Sequence, residues 1–86
     1  TYKNEFPDYD YEIKIPEGFF DSSWHNDVCP KIIKGAVVIW CDYKNPERRE
    51  TMGRQFIVSM NIDDGYEPIR EFDTFADALA FATNKE

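Results

Sequence analysis

The segment Ser22-Ser-Trp-His-Asn-Asp-Val-Cys-Pro30 gathers within nine residues a tryptophan, the only histidine of the chain, an amide, a carboxylate and a thiol. His25, Cys29 and the more distant Cys41, with Asp27, are ligand types that hold zinc, but the chain offers neither a Cys-x2-Cys pair nor a second histidine. As a nucleophile, Cys29 would pass its proton to His25 while Asn26 or Asp27 oriented the imidazole. That arrangement also needs a pocket and an oxyanion hole. In a self-bonded loop, Asn26 and Asp27 satisfy backbone N–H groups, Trp24 closes the edge of the core and Cys29 packs as a small hydrophobe. In a partner-binding loop, Trp24 is the anchor. The self-bonded loop is the favoured reading, so no metal and no cofactor are expected.

Other catalytic signatures are missing. The sequence holds no Gly-rich phosphate loop, no Gly-x-Ser-x-Gly and no His-Glu-x-x-His. A single histidine restricts acid–base chemistry near neutral pH. Placing Gly65 at the sixth position of a calcium loop brings Glu71 to the twelfth. Met60 and Ile62 then fall where ligands are required, so Asp63-Asp64-Gly65 reads as a hairpin turn. The chain is expected not to be an enzyme.

Charge is segregated along the chain. Residues 1–27 carry seven acids and two bases, residues 28–54 three acids and six bases, and residues 55–86 seven acids and two bases. The basic middle, with Lys44, Arg48, Arg49 and Arg54 beside Tyr43, would attract nucleic acid weakly within a chain of net charge −7. It reads as a solvated connector paired with Glu47 and Glu50. The first block alternates Asp8, Asp10, Glu12 and Asp21 with Tyr9, Tyr11 and Phe20. Carboxylates set between planar rings resemble a nucleic-acid backbone and steer a protein toward basic partners. The expected contact residues are therefore Asp8, Tyr9, Asp10, Tyr11, Glu12, Phe20, Asp21 and Trp24.

These residues need elements to hold them. Residues 1–10 read as an extended arm. Tyr11-Glu-Ile-Lys-Ile15 alternates and reads as a strand ended by Pro16. Residues 16–34, broken by Pro16, Gly18, Ser22, Ser23, Asn26 and Pro30, read as a long loop. Gly35 to Tyr43 is apolar on both faces and reads as the central strand. Gln55 to Ile62 alternates, with Phe56, Val58, Met60 and Ile62 inward and Gln55, Ser59 and Asn61 outward. Tyr66 to Phe72 returns as an edge strand carrying Pro68. Thr74-x-x-Asp77 approximates a capping box, and Phe75, Ala78, Leu79 and Ala82 follow at helical spacing, giving a helix over 73–84. The expectation is a single α+β domain over 1–86. It comprises a small antiparallel sheet of about four strands within 11–72 and a C-terminal helix packed on one face.

At 86 residues there is room for one core, and seven Phe, five Tyr and two Trp are enough to build it. No apolar run approaches the ~20 residues of a membrane span. Two cysteines are too few for a disulfide scaffold, and reduced thiols in the cytoplasm are expected. Ser23-Trp-His-Asn-Asp-Val-Cys-Pro30, together with Asp73-Thr74-Phe75 at the helix entry, resembles a segment of short uncharacterised bacterial and phage proteins. The resemblance implies a phage or mobile-element origin and carries over no activity and no site residue.

The functional expectation is a small acidic protein-binding module. Its limiting form is a phage-type inhibitor, anti-CRISPR-like or a DNA mimic, occupying the basic surface of a nucleic-acid-binding protein. No direct contact with nucleic acid or membrane is expected, and the chain would be a monomer or weak dimer. The alternatives are a metal- or thiol-dependent protein using His25, Cys29 and Cys41, and a self-associating domain pairing through the Tyr66–Phe72 edge.

Overall fold

The computed structural model describes residues 1–49, 53–62 and 65–84. In chain order these form helix α1 (Tyr2–Glu5), strands β1 (Phe20–Asp21), β2 (Lys31–Lys34) and β3 (Val37–Cys41), a 3-10 turn (Pro46–Arg48), strands β4 (Phe56–Ile62) and β5 (Gly65–Phe72), and helix α2 (Phe75–Thr83). The strands lie in the order β1-β2-β3-β4-β5, each antiparallel to its neighbour. The α+β class and the C-terminal helix on one face of the sheet are as the sequence predicts, with five strands among the described residues where about four are expected.

Register assigns the two faces. Ile32, Ile39, Val58 and, one pair along, Cys41 and Phe56 share a face and are almost fully buried. Ala78 and Ala82 of α2 pack onto this face, with Phe75 and Leu79 at the margin. The helix starts as its sequence dictates: the Thr74 hydroxyl accepts a hydrogen bond from the Asp77 N–H at 3.2 Å. The N-terminal segment covers the rest of the same face, delivering Tyr2, Ile13 and Phe19 into the core. Ile33, Val38, Trp40, Ile57, Ser59 and Pro68 project from the face opposite α2.

Three elements differ from the sequence expectation. The strand expected over 11–15 pairs with nothing in the sheet. Its alternation is real, since Ile13 is buried and Lys14 exposed, but the Ile13 backbone bonds the Tyr2 hydroxyl instead of a ladder. Alternation reports a chain lying over an apolar surface, and strand pairing is a separate condition. The arm over 1–10 contains α1, because Tyr2 and Phe6, four residues apart, both bury on one side of a helical turn. The loop over 16–34 contains β1 and β2. Lys34 pairs with Val37 across the two-residue turn Gly35-Ala36, so Gly35 is a turn residue and not the start of the central strand. Its φ of 60°, at the first turn position, is the pattern of a type II′ hairpin.

Burial along β4 also departs from simple alternation. Ser59 and Gln55, expected outward, are buried, and Ile62, expected inward, is half exposed. Ser59 is flanked by Val38 and Pro68 on neighbouring strands, which shield it. Ile62 pairs with Gly65 at the end of the sheet, beyond the reach of α2. Asp63 and Asp64 of the expected hairpin turn lie outside the described residues.

Candidate functional site

In the Trp24–Cys29 loop, His25 and Asp27 are each engaged by a charged neighbour. The His25 backbone N–H donates to Glu5 Oε1 at 3.0 Å, and its Nδ1 lies 2.9 Å from the same oxygen, tying the loop to α1. These contacts, the side chain first and then the backbone, hold the Glu5 carboxyl below its usual range. Asp27 pairs with Lys31. Trp24 stacks at a tilt on His25, 4.2 Å between centroids, and remains 51% exposed rather than closing the core edge. Cys29 and Cys41 are both buried and are not joined in a disulfide. Cys41 belongs to the core under α2, whereas Cys29 lines a groove on the open face with Trp40 and Asp42. Among the described residues no group of three His, Cys, Asp or Glu is placed to hold a metal ion.

Burial pushes the Cys41 thiol well above its ordinary range, and Cys29 is 2% exposed. Neither thiol should react with an aromatic disulfide reagent in the native protein, and both should react in denaturant. Rapid native labelling of Cys29 would restore the thiol-dependent alternative.

The acidic N-terminal block and the basic middle meet each other. Asp8 Oδ2 accepts from Arg48 Nη2 at 2.9 Å, its Oδ1 accepts from the Tyr43 hydroxyl at 3.1 Å, and its carbonyl accepts from Arg48 Nη1. Asp10 receives the backbone N–H groups of Lys44 and Asn45, one on each oxygen. Burial acts to raise the Asp10 pKa, but these N–H donors outweigh it and hold the carboxyl below its usual range. Asp21 is likewise occupied, accepting from the N–H groups of Tyr2 and Ser23. Among the described residues the connector's cations have these partners. Arg48 takes Asp8, Arg49 bonds the carbonyls of Tyr43, Lys44 and Gly53, and Arg54 approaches Asp73. Glu50 lies outside the described residues.

Where this segment folds back it encloses a concavity of about 480 Å³, open to solvent. Four consecutive residues of the expected contact set, Tyr9, Asp10, Tyr11 and Glu12, line it. Tyr2, Lys3, Phe6 and Pro7 of α1 and the turn after it complete the wall. The rings stand nearly perpendicular to one another: Tyr2 to Tyr9 at 82° and 5.7 Å, Tyr9 to Tyr11 at 84° and 6.5 Å. Tyr11 is backed by Phe56 at 5.5 Å, and the Tyr9 hydroxyl donates to the Asp42 carbonyl at 3.3 Å. Glu12 is exposed and makes no hydrogen bond or ion pair with the described residues.

Phe20 and Trp24 lie elsewhere. Phe20 is 69% exposed on the face opposite α2, and Trp24 is in the loop. Sequence reasoning missed the second surface of the protein, an apolar groove of about 270 Å³ on the open face. Trp40 lines it, with Tyr66 edge-on at 5.2 Å and the Lys31 ammonium 5.1 Å from the indole. Trp40 and Tyr66 each stand outward on their strands, which the β3 and β5 alternation patterns contain.

Burial raises the pKa values of the Tyr9 and Tyr11 phenols. Burial, followed by the bond to Asp8, pushes Tyr43 up to about 12. The native protein thus keeps protons that the unfolded chain releases near pH 10. Stability from this cluster is complete below about pH 10 and falls as pH climbs toward 12, so urea midpoints should drop across that window. A flat alkaline profile would contradict the packing described.

The fold and the concavity together define a small α+β protein with a recess lined by rings and carboxylates. No protein-family model, no curated protein and no solved structure matches the chain. Among the described residues no helix is long and apolar enough to cross a membrane.

Proposed function

We propose that this chain is a small acidic protein-binding module, not an enzyme, and that the concavity at Tyr9–Glu12 is its contact surface for a basic protein. One observation carries the reading: Tyr9, Asp10, Tyr11 and Glu12, four of the eight residues whose types suggest a basic partner, line one solvent-open concavity. A ring-walled recess with carboxylates at its rim suits basic side chains. The net charge of −7 supplies long-range attraction to such a partner. The limiting form of the proposal is a phage-type inhibitor that occupies the nucleic-acid-binding surface of its target. Asp8, Asp10 and Asp21 then act by fixing the shape of the surface, and Glu12 is the carboxylate left to meet the partner.

A salt series on the partner captured from the native source tests this. Binding should weaken steeply with ionic strength, and Glu12→Gln should flatten the slope while leaving the fold intact. Salt-independent capture, unchanged by Glu12→Gln, would point to the apolar open face instead. A serine at Tyr66 should then abolish it.

A further inference from the structure

We infer that the N-terminal concavity is a receptor for one guanidinium group, presented by an arginine side chain of the partner. The inference rests on the binding reading above and adds the chemistry of what is bound.

The walls argue for a planar cation. Tyr2, Tyr9 and Tyr11 all line the recess, with Tyr9 meeting Tyr2 and Tyr11 edge to face, so the ring cluster is a fixed aromatic wall and not a stack. Aromatic faces carry negative potential and attract guanidinium or ammonium groups within about 6 Å of the ring centroid. The Tyr9 and Tyr11 phenols are neutral at neutral pH, and burial keeps them so, while two backbone N–H groups stabilise the ionised Asp10 carboxylate. Glu12 supplies both carboxylate oxygens without an internal competitor among the described residues. A guanidinium can stack on a ring and still make a two-pronged hydrogen bond to a carboxylate, which an ammonium cannot. Lys3 is the one base in the lining, and its charge opposes the cation that enters. The site therefore contains one group whose removal should weaken binding and one whose removal should strengthen it.

The experiment is an NMR titration of the full chain with Nα-acetyl-arginine methylamide, repeated with the lysine and the uncharged citrulline analogues. The arginine probe should give saturable shifts at Tyr9, Tyr11 and Glu12, with the lysine probe weaker and the citrulline probe weakest. Glu12→Gln should weaken the arginine probe about two- to fivefold, and Lys3→Met should tighten it by a similar factor. Both residues are exposed, so neither change threatens folding. Equal binding of the citrulline and arginine probes would overturn the inference, as would indifference of the arginine probe to both variants. If the probe fails while Glu12→Gln still weakens capture of the protein partner, the guanidinium receptor is wrong and the binding module stands. If the probe binds as described but Glu12→Gln leaves the partner untouched, the receptor stands and the reading of the partner surface falls.

Discussion

Phe56→Ala should destabilise the protein by about 3–5 kcal/mol, the range for deleting a fully buried phenylalanine. Phe56 is 1% exposed, and its ring meets Tyr11 at 5.5 Å on one side and Phe75 of α2 at 5.7 Å on the other. It also pairs with Cys41 and Phe72, so the cavity would open between three strands, the C-terminal helix and the wall of the concavity. A stability of this size is a large part of what so small a domain possesses. Chemical denaturation should therefore show a shifted midpoint, and arginine-probe binding should weaken along with it because Tyr11 loses its backing. A loss below about 1 kcal/mol would mean that the site collapses freely around the missing ring.

Tyr2→Phe removes a single oxygen and is expected to cost about 1–3 kcal/mol, because it strands buried polar groups. The Tyr2 hydroxyl accepts from the Ile13 N–H at 3.0 Å and donates to the Ile13 carbonyl at 3.4 Å. These bonds hold the segment after the concavity in place of the strand ladder it lacks. Their loss should appear first as faster amide exchange at Ile13 and only second as a lower global stability. Exchange at Ile13 that matches the wild type would show that core packing alone positions the segment.

The elements legible in the sequence were those whose signal is local. The Thr74 cap and the Phe75, Ala78, Leu79, Ala82 stripe define α2 without reference to the rest of the chain, and Phe56, Val58 and Met60 define one face of β4. The Lys31–Lys34 strand was also local. Two isoleucines followed by Gly35-Ala36 and two valines spell a hairpin, but the many loop formers upstream masked it. The contact set was half legible. Tyr9 to Glu12 stand out by type, whereas the roles of Asp8 and Asp10 depend on partners 40 and 34 residues away. A charge count by thirds displays a basic block between two acidic ones, but not that the first and the middle block pair within the molecule. The Trp24–Cys29 segment drew attention by composition. Its imidazole is held by Glu5, and its thiol is buried beside the open-face groove.

Hydrogen–deuterium exchange of the complex with the captured partner tests the central claim most directly. The account predicts slowed exchange over residues 2–12, where the concavity lies, with the groove around Trp40 and Tyr66 unchanged. Protection confined to Val28, Ile57 and Tyr66 on the open face, with residues 2–12 exchanging as in the free protein, would contradict it.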